Sequence, residues 1–378
     1  SAITEDMEPY ELVLWFQDYA PQTPSGMRHY LKALERLNRK SQIRTVLREW
    51  WQTALLSPKD QEYFIEHYGY YLNRPTHIQR IDRLLDAQHY TNAKSIARQL
   101  GMGYPRLVEA RIALAEDKSG VDQFVDQVPD YLKNNEGLLY ERIRWRRRHD
   151  KEDSAIELLL EASKNEDVAS STSKWWRERH ILVRHLIEQK KFEEAYQLAA
   201  SHGQKDGFSM AQAEFVAGWL ALRFVNKPKE GFEHFETLYH NVSTPISRAR
   251  GAYWAGLASY ELGHPDIARE WYRTAARYQT TFYGQLAVAA LDDRYKPPQQ
   301  LPPARDTQME KRFEQNELVI AAKILSRADF RKEATIFLNQ LSETVQTPQD
   351  YLLVADLSGD LGHFHNGIRI AKNGLQKD

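Results

Sequence analysis

Apolar positions in this chain recur three and four residues apart, in stretches broken by Gly, Pro or polar pairs, the spacing that lines up one face of a helix. No segment alternates apolar and polar residues between hairpin turns, so strands are not expected. The pattern is clearest over 244–287. Thr244 is an N-cap candidate, and Pro245 suits the first helical position, where no amide hydrogen is needed. The helix runs to about residue 262, and Gly263 ends it by accepting the left-handed conformation. Pro265 opens a second helix, with Asp266 at its positive end. Ala252, Ala255, Gly256, Ala268 and Ala275 fall where two helices must approach closely, and Trp254, Trp271 and Tyr272 supply the bulk around them. This is close to the tetratricopeptide pattern, whose single hairpin cannot bury its apolar face alone and so implies neighbours of the same kind.

The same reading predicts helices at 8–20 (stopped by Pro21 and Pro24), 26–38, 41–55 and 59–71. Hairpins follow at 77–85 with 90–100, 104–115 with 121–132, 138–148 with 154–162, 174–189 with 192–202, and 211–224 with 228–239. The small residue in the second helix of successive pairs is Ala155, Ala195, Gly231, Ala268, Ala334 and Gly367, at intervals of 40, 36, 37, 66 and 33. Gly218 and Gly256 are the small residues of two first helices, and Leu262-Gly263-His264 reappears as Leu361-Gly362-His363. Such intervals predict an all-α protein, a right-handed α-solenoid of tetratricopeptide-like hairpins forming a curved or ring-shaped superhelix over 1–294. The segment 295–306 carries two Pro-Pro pairs and reads as a stiff linker. A small second helical domain of four or five helices is expected over 307–378.

Composition narrows the function classes. Across 378 residues the hydrophobic content is 42%, too high for a wholly disordered chain, and no apolar run approaches the ~18 residues of a membrane span. The net charge of −1 points to no nucleic-acid partner. The absence of Cys removes disulfides, zinc-thiolate sites and cysteine nucleophiles together. The chain opens Ser1-Ala2 rather than with Met, which reads as a processed or cut end and leaves the compartment open.

Candidate chemistry is sparse. Arg142, Arg144, Arg146, Arg147 and Arg148 bracket Trp145, which suits a polyanion patch, but cations are favoured at a helix C-terminus and acids flank the run, so a solvated helix end is the better reading. The run 174–179 (Lys-Trp-Trp-Arg-Glu-Arg) offers indoles for stacking sugars or bases, although adjacent Trp residues point in different directions and at least one belongs to the core. His363 with His365, and His180 with His185, lack the i, i+4 spacing of a helical metal pair, and no metal site is expected. Gly101-Met102-Gly103 is a helix stop, and no nucleotide-binding or nucleophile-elbow motif occurs. Acidic pairs such as Glu116-Asp117 and Glu193-Glu194 lack the apolar pocket that would raise a glycosidase acid.

A resemblance sharpens the picture. The run 252–287, with Tyr253-Trp254, Gly256 and the tail Thr280-Thr281-Phe282-Tyr283-Gly284-Gln285-Leu286-Ala287, resembles a segment of the soluble lytic transglycosylase family. Four further runs are similar to the same family in the same order: 110–114, the helix with Tyr140-Glu141-Arg142 and Trp145-Arg146-Arg147, Trp175-Trp176 with Glu178-Arg179, and Gly218-Trp219-Leu220-Ala221-Leu222-Arg223. The family has a superhelical ring of helices, a linker domain and a lysozyme-like catalytic domain. The resemblance therefore implies a periplasmic enzyme that cleaves peptidoglycan between N-acetylmuramic acid and N-acetylglucosamine, leaves a 1,6-anhydromuramyl end, and needs neither metal nor cofactor.

The family's catalytic Glu-Ser and Gly-Leu-Met-Gln motifs are absent, so no catalytic residue is carried over and the chain alone is not expected to be an enzyme. A fragment of such an enzyme, or a natural protein lacking its catalytic domain, are the two accounts. Its expected role is to position glycan strands or other cell-wall proteins, and the alternative is a stand-alone helical-repeat interaction scaffold. Trp145, Arg146, Trp175 and Arg179 are the candidate glycan contacts. Tyr140, Glu141, Arg142, Gly218, Trp219, Tyr253, Trp254, Gly256, Tyr283 and Gly284 are expected to be structural.

Overall fold

Short helices joined by tight turns make up the protein. A computed structural model describes residues 7–164, 173–291, 296, 304 and 306–374. Among them are 22 α-helices and no strand, and consecutive helices pack as antiparallel pairs, so the chain is an all-α helical solenoid. The expected Pro-rich linker lies outside the described residues apart from Lys296, Ala304 and Asp306.

The recurring unit is a turn with fixed backbone geometry. Asp150, Lys190, Asn226, Gly263, Asp329 and Gly362 all have positive φ, and each stands five residues before one of the small residues Ala155, Ala195, Gly231, Ala268, Ala334 and Gly367. The intervals 40, 36, 37, 66 and 33 are therefore the intervals between turns. After the left-handed residue the next amide turns back onto the preceding helix: Lys151 to Arg146 O at 3.0 Å, Lys191 to Leu186 O at 2.9 Å, His264 to Ser259 O at 3.0 Å, Phe330 to Leu325 O at 2.9 Å. Lys227 reaches one residue further, to Ala221 O at 2.8 Å. This closure satisfies carbonyls that the helix end would leave without partners and starts the next helix at once. Asn38, Gln88 and Asp117 close three earlier turns in the same way.

The chain divides into two compact units, Ser1–Lys205 and Asp206–Asp378, with the division falling inside the stretch 1–294. In the first unit the pairs are Arg74–Asp86 with Tyr90–Leu100, Glu136–Arg148 with Glu152–Ser163, and Ser173–Glu188 with Phe192–Ala200. The helix expected over 121–132 is shorter, Val121–Asp126 followed by a 3-10 turn Asp130–Leu132, because Pro129 cannot supply the amide that a continuing helix needs. In the second unit Gly207–Arg223 pairs with Pro228–His240, Pro245–Glu261 with Pro265–Ala276, Glu317–Arg327 with Arg331–Thr344, and Pro348–Asp360 with Phe364–Gly374.

Close approach within a pair depends on glycine opposite an aromatic ring. A Cβ on Gly218 would stand 2.7 Å from the Phe235 ring, and one on Gly256 2.8 Å from the Tyr272 ring. Both distances are below contact, so the ring occupies the space a side chain would need. Several helix ends are held by arginines. Arg80, fully buried, donates to Ala54 O at 2.9 Å and to Trp51 O, and its guanidinium lies 4.1 Å from the Trp51 ring. Arg74 donates to Leu100 O, Arg48 to Tyr71 O and Arg331 to Gly362 O. Each caps a helix end that is remote in sequence.

A left-handed non-glycine residue carries a conformational cost of about 1–2 kcal/mol. Lys190 is exposed and left-handed, and Lys190→Gly is expected to stabilise the first unit by about 0.5–1 kcal/mol, since glycine's larger unfolded entropy offsets part of the gain. The check is the urea midpoint followed by circular dichroism, and an unchanged or lowered midpoint would contradict the cost assigned to that turn.

Candidate functional site

The motif-bearing residues of the first unit gather where Glu136–Arg148 meets Ser173–Glu188 and the turn after Tyr104–Ala115. Helix Glu136–Arg148 is capped by Asn135, whose side chain accepts from Leu138 N at 3.1 Å. Gly137 in its first turn leaves room for the Arg111 guanidinium, which a Cβ there would displace. Arg111 is buried and pairs with Asp82.

Trp175 and Arg179 are both 0% exposed, which corrects the expectation that they touch a glycan. The Trp175 indole donates to Glu136 Oε1 at 2.8 Å and meets the Tyr140 ring edge-on, with centroids 5.5 Å apart. Arg179 donates to Leu198 O at 2.8 Å, to Ser201 Oγ at 2.9 Å and to Ser163 Oγ at 2.6 Å. Burial holds its pKa down at about 10. It is an interior cap for helix Phe192–Ala200, not a surface group. Trp176, its ring stacked on His180, is buried as well, so both adjacent indoles face inward on a helix whose buried face is wide.

Trp145 and Arg146 do reach the surface, both half-buried. The Trp145 indole donates to Asp117 Oδ1 at 2.9 Å, its ring stacks on His149 at 4.1 Å, and Lys151 Nζ lies 4.9 Å from the ring centroid. His149 Nε2 meets the same Asp117 oxygen at 2.9 Å. Arg146 donates to Ser154 O at 3.3 Å. Sequence reasoning missed Asp117, His149 and Lys151. His149 is legible as the i+4 neighbour of Trp145, whereas Asp117 is brought in by folding from 28 residues away.

The arginine run is largely engaged within the protein. Arg147 donates bidentately to the buried Glu178, at 2.5 and 3.2 Å, and that carboxylate raises its pKa. Arg144 meets Glu141 at 3.5 Å, and Arg142 is held below its ordinary pKa, by burial first and by Arg146 second. Burial raises the Glu141 carboxyl against the opposing pull of Arg144 and Arg111, and it pushes the Tyr140 hydroxyl up to about 12. Lys174 bonds Asp86 at 3.0 Å beside the Tyr140 ring. Among the described residues no three His, Asp or Glu side chains converge as a metal site, and no helix is long and apolar enough to cross a membrane.

In the second unit the motif residues are packing residues. Trp254 lies 5.5 Å from Phe235 and 5.9 Å from Phe215, Trp219 packs on Phe224, and Tyr253 contacts Tyr272 and Tyr283. The Thr280–Ala287 tail explains itself locally. Thr281 caps Phe282–Ala290 by accepting from Gly284 N at 3.0 Å, while its hydroxyl donates to Tyr278 O at 2.8 Å. A Cβ on Gly284 would collide with that same Tyr278 carbonyl.

No family model matches this sequence, and no curated protein matches it. Among solved structures it is similar to a circular tandem repeat protein with novel repeat topology and enhanced subunit contact surfaces, at 13% identity over 97% of this chain and 77% of that one, with a TM-score of 0.16. A likeness that weak carries nothing about function.

Two substitutions check the geometry. Gly284→Ala is expected to destabilise the second unit by about 2 kcal/mol or more, because the collision is with backbone that has no rotamer to move to; urea unfolding reads it. Glu141→Gln is expected to stabilise the fold at pH 7. The folded state keeps the Glu141 proton to higher pH than the unfolded state does, so ionisation costs stability as pH rises through the raised pKa. The advantage of the variant should shrink as pH falls toward the ordinary carboxyl value of 4.5, and a gap that widens in acid would contradict it.

Proposed function

We propose that this chain is the non-catalytic superhelical and linker portion of a soluble lytic transglycosylase, a periplasmic enzyme cleaving the N-acetylmuramic acid–N-acetylglucosamine bond of peptidoglycan to a 1,6-anhydromuramyl product. Its role is to position glycan strands. The observation that supports this reading best is the five ordered motifs over 110–287, because their members interlock. Gly137 makes room for Arg111, Gly256 for Tyr272 and Gly284 for the Tyr278 carbonyl. Residues that fit one another in this way are harder to match by chance than a generic apolar repeat. A tandem array of helical hairpins also offers a long surface to a polymer.

The glycan contacts narrow to Trp145 and Arg146, joined by Lys151. The half-buried indole, tethered to Asp117 and stacked on His149, offers its exposed edge to a sugar ring, and the neighbouring cations suit muramyl carboxylates. Co-sedimentation with purified sacculi at low ionic strength tests this. The wild-type chain should pellet, Trp145→Ala should weaken it about five- to tenfold, and raised salt should release it. No anhydromuropeptide should be released. Failure of the wild-type chain to pellet, together with capture of a stoichiometric protein partner, would favour a protein-interaction scaffold instead.

A further inference from the structure

The last hairpin, Pro348–Asp360 with Phe364–Gly374, forms a pocket against Arg331–Thr344 that the preceding sections leave without a role. Its volume is about 440 Å3, and the side chains lining it include Thr335, Asn339, His363, Asn366 and Arg369 but no carboxylate. Arg369 organises it. One guanidinium nitrogen, Nη2, donates to Asn366 Oδ1 at 2.7 Å and also to Asn339 Oδ1. Both amide oxygens are thereby engaged, which fixes the amide orientation. Asn366 is 6% exposed, and its Nδ2 has no partner. A buried donor without an acceptor is costly, and a bound acceptor would remove that cost.

The backbone adds donors of the same kind. Gly362 is left-handed, and the first bond within helix Phe364–Gly374 runs from Gly367 N to His363 O at 3.0 Å. The amides of Phe364, His365 and Asn366 precede that bond, at the positive end of the helix. Arg331 stands beside the same turn and donates to Gly362 O. Thr335 is already a donor to Arg331 O at 2.9 Å, so its oxygen accepts from His363 Nδ1 at 3.2 Å.

We propose that this pocket binds an oxyanion, a carboxylate or phosphate group, held by the free edge of Arg369, the Asn366 amide and the first-turn amides of the last helix. Phe364, 70% exposed at the pocket wall, lies alongside whatever organic group carries the anion. The site is independent of the transglycosylase reading and of the Trp145 surface.

The test is calorimetric titration of the whole chain with inorganic phosphate and separately with acetate, with chloride at equal ionic strength as the reference. Saturable heat is expected with at least one oxyanion and none with chloride. A preference for acetate assigns a carboxylate ligand, and a preference for phosphate assigns a phosphorylated one. Asn366→Asp keeps the acceptor that Arg369 needs but puts a charge where the free donor stands, and it should weaken binding at least about tenfold. Arg369→Gln, at an exposed position, should weaken it comparably and serves if the buried variant fails to fold. Wild-type heats no larger than with chloride, or folded variants that bind as the wild type does, would overturn the proposal.

Discussion

Every short helix ends with carbonyls that have no partner inside the helix, and this chain has many such ends. Left buried and unpaired, each costs about 1–3 kcal/mol. Two devices meet the problem. The left-handed turn closes a helix on itself through the amide that follows, as at Lys190 and Lys191, and it does so at the cost of a strained residue. The buried arginine closes a helix from outside. Arg80 and Arg179 have no acidic partner among the bonds they make, and their charge is spread over carbonyl and hydroxyl oxygens instead. Burial lowers both pKa values, to about 9 and about 10, which marks how much solvation each has given up. Three hydrogen bonds per guanidinium are what make that burial tolerable.

With the ends closed, packing is set by size alternation. Glycine in one helix admits a ring from its partner at Gly218 and Gly256, and it admits a guanidinium at Gly137. These are positions within or beside the runs that the family resemblance singles out. The motifs therefore describe chiefly how neighbouring helices fit together, and Trp145 and Arg146 are among the motif residues that reach the surface. A binding role has to come from what the fitted helices leave at the surface. In the first unit that is the edge of Trp145 with its surrounding cations, and in the second it is the pocket around Arg369.

Burial separated the site candidates. Trp145 and Trp175 have the same residue type and similar basic neighbours, yet one is half-exposed and the other wholly enclosed. The difference lies in the helix face. Ser173–Glu188 turns Trp175, Trp176, Glu178 and Arg179 all inward, whereas Trp145 sits on the rim of a helix whose core side is made by Leu138, Leu139 and Ile143. Ionisation follows the same division. Arg179 inside loses part of its basicity, while Arg147 gains some from the Glu178 carboxylate it grips.

The amino-acid sequence by itself determined the all-helical architecture and the positions of the hairpins, because both rest on local rules: helical periodicity, Pro at first turns, and a turn five residues ahead of each small residue. The need for glycine at 284 is local too, a backbone matter settled within seven residues, Tyr278 to Gly284. Over 121–132 the helical periodicity continues across Pro129 where the backbone cannot, and the helix stops at Asp126. Only the tertiary structure decided which aromatic and arginine side chains face inward, which partners Arg80, Arg111 and Arg179 reach, and that Asp117 meets Trp145. Those contacts join residues 16 to 29 apart and are made by the side that each helix turns to its neighbour. A period near 3.6 fixes the width of an apolar face but not its partner.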